Sequence, residues 1–170
     1  MTTITRRNLL AHVASSDETR PALTGILLKG DKAVSCDSCI LLATHIPSAP
    51  NTDGYDLPAD GVILRAKDVA SIARTKPSRY AQPGQQHIGI TFTGNERPAS
   101  HATLTADNQG GQVSSTVATI DAKFPDYTAI IPSDKPDDHV VSLGVDVLAK
   151  LVKALSAAGA EHAPFHFPTP

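Results

Sequence analysis

The sequence predicts a mixed α+β fold with mainly antiparallel sheets, built from two β-α-β-β-β units. One strand, one helix and three further strands occur in that order twice within residues 1–132. No long helical crossover separates the last three strands of either pass, which argues against a parallel sheet. Hydrophobic residues make up 41% of the chain and aromatics only 4%, so an aliphatic core is expected.

The first unit covers about residues 1–49. Residues 2–4 read as a short strand, and Thr5 is a suitable N-cap for a helix over about 6–14, with Leu9, Leu10 and Val13 inward and Arg7 outward. Strands follow at Leu23–Leu28, Ala33–Cys36 and Ile40–Thr44, the first two joined by a Gly30-Asp31 turn. Pro47 to Gly61, rich in Pro, Gly, Asp and Asn, is a loop by composition. The second unit, about 61–132, starts with a strand at 62–64 and a helix at about 66–75. Strands near His87–Thr93, His101–Ala106 and Gln112–Ile120 complete it.

A third pass begins and stops within residues 133–170. A polar linker, Asp134 to Asp138, precedes a strand at 139–143, a helix from Val145 to Ala157 and one more strand at 162–167. Such a fragment cannot bury its own faces. It is read as the start of a second, incomplete domain, finished either by chain beyond Pro170 or by a partner.

A formal charge of −2 excludes a uniformly basic nucleic-acid binder but not a basic face on an acidic body. The helices carry such a bias. On the 66–75 helix Ala66, Val69, Ile72 and Ala73 share one side, while Lys67, Ser71 and Arg74 form a stripe on the other. On the last helix Leu148, Leu151, Val152 and Leu155 make the expected core face, with Lys150 and Lys153 opposite. Many acids fall in loops, among them Asp53, Asp56, Asp60 and Asp126. Lys67 and Arg74 are therefore the leading candidates for sequence-independent phosphate contact, with Arg7, Lys150 and Lys153 behind them. No apolar run approaches the roughly 18–20 residues that span a bilayer, and the N-terminus lacks a signal-peptide core. A soluble cytoplasmic protein is expected.

Catalytic patterns are scarce. Cys36-Asp37-Ser38-Cys39 is a CxxC without a second pair to complete a zinc site, and it sits between strands rather than at a helix start. A reduced structural pair is expected, and a small thiol or zinc protein built on Cys36 and Cys39 is the remote alternative. Pro164 denies His162 and His166 a common helix face, and in an extended segment they lie about 13 Å apart, too far for one metal. Gly110-Gly111 opens no helix and reads as a turn rather than a phosphate loop. No cofactor, no metal and no enzymatic activity are expected.

Two segments carry a resemblance. Residues 18–28 read Glu-Thr-Arg-Pro-Ala-Leu-Thr-Gly-Ile-Leu-Leu, and residues 123–132 read Lys-Phe-Pro-Asp-Tyr-Thr-Ala-Ile-Ile-Pro. Together, in order and spacing, they resemble the middle domain of the bacterial sliding clamp family, the beta subunit of DNA polymerase III. The resemblance covers nearly all of the chain, one domain plus the opening of the next. It implies a DNA-clamp fold with helices on one side of the sheets. It also implies a processivity factor: a ring that encircles double-stranded DNA and tethers a polymerase, with no chemistry of its own. One domain cannot close around a duplex, so a ring implies a homo-oligomer or a longer chain.

By the same resemblance, Lys67 and Arg74 match basic positions facing the central hole. Arg20 matches a basic position beside the DNA-contacting loop, with Pro21 and Ala22 where some members have aromatics. Leu23, Leu41 and Pro132 match apolar members of the pocket for polymerase and clamp-loader peptides. The family's His and Arg of that pocket are replaced by Cys39 and Ile40, which leaves an apolar floor without its polar rim. The alternative is a clamp-fold interaction module or replisome regulator that does not encircle DNA.

Overall fold

Eight strands, two α-helices and two 3-10 turns (Pro21–Thr24 and Tyr127–Ile130) lie within the described part of the chain, residues 2–5, 8–46, 57–73, 87–93, 100–108, 111–130 and 144–158 of a computed structural model. The strands are β1 (Thr2–Thr5), β2 (Gly25–Lys29), β3 (Lys32–Cys36), β4 (Leu41–His45), β5 (Val62–Arg65), β6 (His87–Thr93), β7 (His101–Asn108) and β8 (Gly111–Ala118). The helices are α1 (Ala66–Ala73) and α2 (Val145–Ala158). The expected α+β class with antiparallel sheets is what the chain forms.

The two units are not separate. Each contributes a three-stranded meander, and each meander takes its fourth strand from the other unit. One sheet runs β1-β6-β7-β8 and the other β4-β3-β2-β5, every neighbour antiparallel. Ile4 faces Ile88, and Leu64 faces Ile26. The exchange closes the free edge that β2 and β6 would otherwise present, which a meander alone leaves open to mispairing. A bridge between Leu64 and Thr119 and a 2.8 Å bond from the Ile120 amide to the Ile63 carbonyl join the end of the first sheet to β5. Polar anchors repeat as well. Asn8, three residues after β1, donates to the Thr44 hydroxyl and His45 carbonyl at the end of β4 (3.1 and 2.9 Å). Asp68, three residues after β5, accepts from the Ala118 amide at the end of β8 (3.2 Å).

The main core lies between the sheets and α1, where Ala66, Val69 and Ile72 face Ile4, Leu28, Leu64, Ile88 and Leu104. A second cluster covers the opposite face of the β4-β3-β2-β5 sheet, where Leu27, Val34 and Ile63 lie under Ala22, Leu41, Ile120, Phe124 and Tyr127. Gly25 to Leu28 is buried at every position because both faces of this sheet are covered. The other sheet turns Thr91, Ser114 and Thr116 to solvent.

Two expectations are corrected. Residues 8–14 form turns rather than an α-helix, held by Leu10 N–H to Asn8 O (3.1 Å) and Val13 N–H to Leu10 O (3.0 Å). Leu9, Leu10 and Val13 are buried as expected, but Leu9 joins the main core and Val13 joins a separate cluster with Ile40 and Ala154. Positions i and i+4 of a helix share one side, so a helix could not serve both clusters. Second, α2 docks through Val147, Leu151 and Ala154, leaving Leu148 39% and Val152 55% exposed. That rotation brings Lys150 onto Asp37 instead of into solvent. The expected strands at 139–143 and 162–167, the 133–138 linker and Pro132 lie outside the described residues.

Candidate functional site

Among the described residues, three of the four basic candidates, Arg20, Lys67 and Lys150, have acidic partners. Lys67 projects from α1 into solvent, where its Nζ lies 2.6 Å from Glu18 Oε1. Hydrogen bonding and charge from Lys67 hold the Glu18 carboxyl below its ordinary range. Arg20 Nε is 3.3 Å from Asp17, and its Nη1 donates to the Ser38 hydroxyl (3.1 Å). Lys150 pairs with Asp37, while Lys153 and Arg65 are exposed. Arg7 and Arg74 lie outside the described residues. A half-open cavity of about 800 Å³ separates the 9–16 segment from α1, with Leu9, His12, Ser15, Arg65, Lys67 and Ile120 in its wall.

The peptide-pocket candidates are split. Leu23 is buried at 8% exposure, and Leu41 packs half-buried in the Tyr127–Phe124 cluster. Ile40 points the other way, under α2 beside Val13 and Ala154, as strand alternation requires of neighbouring residues. Cys39 is exposed at the turn. Leu23, Ile40 and Leu41 do not line the large cavity.

Sequence reasoning missed the seat of α2. Asp37 Oδ1 accepts from the Cys39 and Ile40 amides, each at 2.8 Å, and Oδ2 takes the Lys150 ammonium. Burial works to raise the Asp37 carboxyl, but Lys150 and the two amides outweigh it and hold the carboxyl below its ordinary 3.8. Nearby, His12 lies against the backbone at Ala154, and its Nε2 is buried without a hydrogen-bond partner. Burial, then the Lys153 and Lys150 charges, lower its pKa from the ordinary 6.5, against the pull of the Ala154 backbone. Among the described residues, no three His, Cys, Asp or Glu side chains gather to hold a metal ion.

This geometry sets a pH response. Well above 6.5 His12 is neutral whether α2 is docked or not, so it adds no pH dependence to docking there. As pH falls below that value the undocked state binds the proton that docked His12 refuses, and docking weakens. The Asp37 contribution persists above 3.8 and is lost only as pH falls through the depressed value of the folded state. Hydrogen exchange across residues 145–158, corrected for intrinsic pH dependence, should therefore show α2 protection falling between neutral pH and the range below 6. His12→Gln should flatten that loss.

No family model and no curated protein matches the chain. Among solved structures, the crystal structure of the DNA polymerase sliding clamp from Pseudomonas aeruginosa with ligand aligns over 76% of the chain at 25% identity, with a TM-score of 0.46. The chain spans 33% of that clamp's length. Among the described residues, no helix is long and apolar enough to cross a membrane.

Proposed function

We propose that the chain is a clamp-like subunit of a cytoplasmic ring that encloses double-stranded DNA, without reading its sequence, and tethers a polymerase. What carries this reading is the meeting of the two segments that resemble the clamp family. Glu18 to Leu28 supplies the tight turn and β2, and Phe124 and Tyr127 cover the outer face of the same sheet. Segments a hundred residues apart in sequence thus build one feature, in the element order the resemblance implies. In this reading Lys67 and Arg74 offer weak phosphate contacts that let the ring slide, Arg20, Lys153 and Arg7 add to the field, and the protein performs no bond chemistry. Lys150 is committed to Asp37 and contributes least. A partner peptide would reach the Leu41–Tyr127 surface rather than Ile40.

The test uses the full chain in its assembled form. Mass in solution with and without duplex DNA should report an oligomer, and retention should be greater on closed circular duplex than on the same DNA linearised. Lys67→Ala with Arg74→Ala should lower the salt slope of DNA retention by about 1–2, since each phosphate contact contributes about 0.9. Glu18→Gln should release Lys67 and steepen it by up to about 1. An unchanged slope in all variants, or a monomer at every concentration with no retention, overturns the reading.

One observation favours a second reading, a clamp-fold interaction module that does not encircle DNA. Lys67, Arg20 and Lys150 each have a carboxylate partner, which reduces the free positive field on the helical side. Retention of a protein partner together with salt-independent indifference to DNA would select it.

A further inference from the structure

We propose that the exposed face of α2 is a contact between two copies of this chain, packed antiparallel about a two-fold axis. The contact is independent of any role on DNA and is tested without DNA.

Among the described residues, the large apolar side chains that stand exposed are Val145, Leu148 and Val152, and all three lie on α2. Apolar residues scattered singly over a surface need no explanation, whereas a cluster on one helix marks a face that something covers. The helix docks on its own domain through Val147, Leu151 and Ala154, with Lys150 held by Asp37 beside them. Val145, Ala149, Val152 and Ser156 are exposed and follow one another at spacings of four, three and four. That is the d-a-d-a spacing of a coiled-coil seam. The docked residues then fall at b, c and f, the positions a two-stranded coil turns away from its partner.

The charges choose the occupant. With Val145 and Val152 at d, Leu148 and half-buried Leu155 stand at g and widen the apolar strip on one flank. Asp146 and Lys153 stand at e on the other flank, both exposed. Reversing one helix against the other puts like flanks together, so Asp146 of each copy meets Lys153 of the other. A parallel pair would set e against g, leaving Lys153 beside Leu148 and neither charge answered. Opposite charges placed symmetrically about the middle of the face make it complementary to itself, as a two-fold contact requires. Ala149 and Ser156 keep the seam shallow, which lets the two backbones approach. At 14 residues α2 is short. A helix pair about 21 Å long buries less than the roughly 1,200 Å² of a stable complex, so the association is weak and reversible.

The experiment uses the full chain. Sedimentation equilibrium over a wide range of concentration should show the mass rising from one copy toward two, and Val152→Glu should hold it at one. Asp146→Lys leaves only positive charge on the e flank, and Lys153→Glu leaves only negative charge. Each variant alone should self-associate about threefold more weakly or worse at low salt, and an equimolar mixture of the two should recover the association. In a Cys36→Ser, Cys39→Ser background, Val145→Cys and Ser156→Cys locate the axis. Reversed helices bring position 145 of one copy beside position 156 of the other, while equivalent positions lie about 16 Å apart along the helix. A disulfide between copies should therefore form in a mixture of the two single-cysteine proteins and in neither alone. A mixture of charge variants that associates no more tightly than its components, or a disulfide in either single-cysteine protein alone, overturns the proposal. So does a mass of one copy at every concentration; if the Val145→Cys thiol then resists alkylation, another part of the same chain covers the face.

Discussion

Replacing Leu64 by alanine should cost about 2–5 kcal/mol, a large share of the roughly 5–15 kcal/mol that holds a domain folded. Leu64 is fully buried, faces Ile26 across the β2–β5 pair and meets Thr119 across the junction between the sheets. It sits on the exchanged strand, so the cavity left by its side chain opens where both units and α1 meet. Interiors this close-packed relax only partly around a missing side chain. Ile4, its counterpart on β1, is equally buried in the same cluster, and Ile4→Ala should fall in the same range. Urea unfolding of the three proteins, compared by midpoint at unchanged slope, measures both costs. A loss under about 1 kcal/mol at both positions would show that the exchanged strands add little to the fold.

Much of the fold was legible because strand signals are local. Runs such as Gly25-Ile26-Leu27-Leu28 and the Gly30-Asp31 turn mark elements to within a residue or two, and the 66–75 helix showed its buried side through Ala66, Val69 and Ile72. The exchange of β1 and β5 was not legible. Alternation within a strand says which face is buried but not which neighbour it pairs with, and β1 carries only four residues of signal. The 6–14 helix failed for a related reason: its apolar spacing fitted one face, while the fold asks Leu9 and Val13 to serve two clusters. On α2, apolar residues at 147, 148, 151, 152, 154 and 155 cover more than one side, so periodicity left the docked face open. The face that docks meets Val13 and Ile40 and carries Lys150 to Asp37, 113 residues away in sequence.

The candidate site was legible in its residue types and less so in their partners. Outward projection of Lys67 follows from helical geometry alone. Its pairing with Glu18 depends on the 18–24 turn lying beside α1, a long-range arrangement that spacing along the chain does not encode. Ile40 and Leu41 could be assigned to opposite faces from alternation once Cys36 to Leu41 was known to be a tight turn. Their sequence neighbours alone did not say which face would lie under α2.

Gly61→Ala should cost about 2–5 kcal/mol, combining about 1–2 for a left-handed backbone and about 1–3 for overlap. Gly61 has φ +81 and is the last residue before β5. A Cβ there would come within 2.8 Å of the Leu28 carbonyl oxygen, 2.9 Å of Leu27 Cδ1 and 2.9 Å of Lys29 Cβ. The carbonyl is fixed by the strand, so the added methyl cannot be absorbed by a side-chain rotation. The chain must back away from β2 at the point where it delivers the exchanged strand, which weakens the Leu28–Val62 end of the pairing first. Gly30 is the control. It also has positive φ, 54, but no atom lies within 4 Å of where its Cβ would stand. Gly30→Ala should therefore carry the conformational cost alone, about 1–2 kcal/mol, and Gly30→Asn less, because asparagine tolerates the left-handed region. Urea midpoints for the three variants separate the two contributions. Equal losses at Gly61→Ala and Gly30→Ala would mean that the close approach to β2 costs nothing and that β5 is held less tightly than its register indicates.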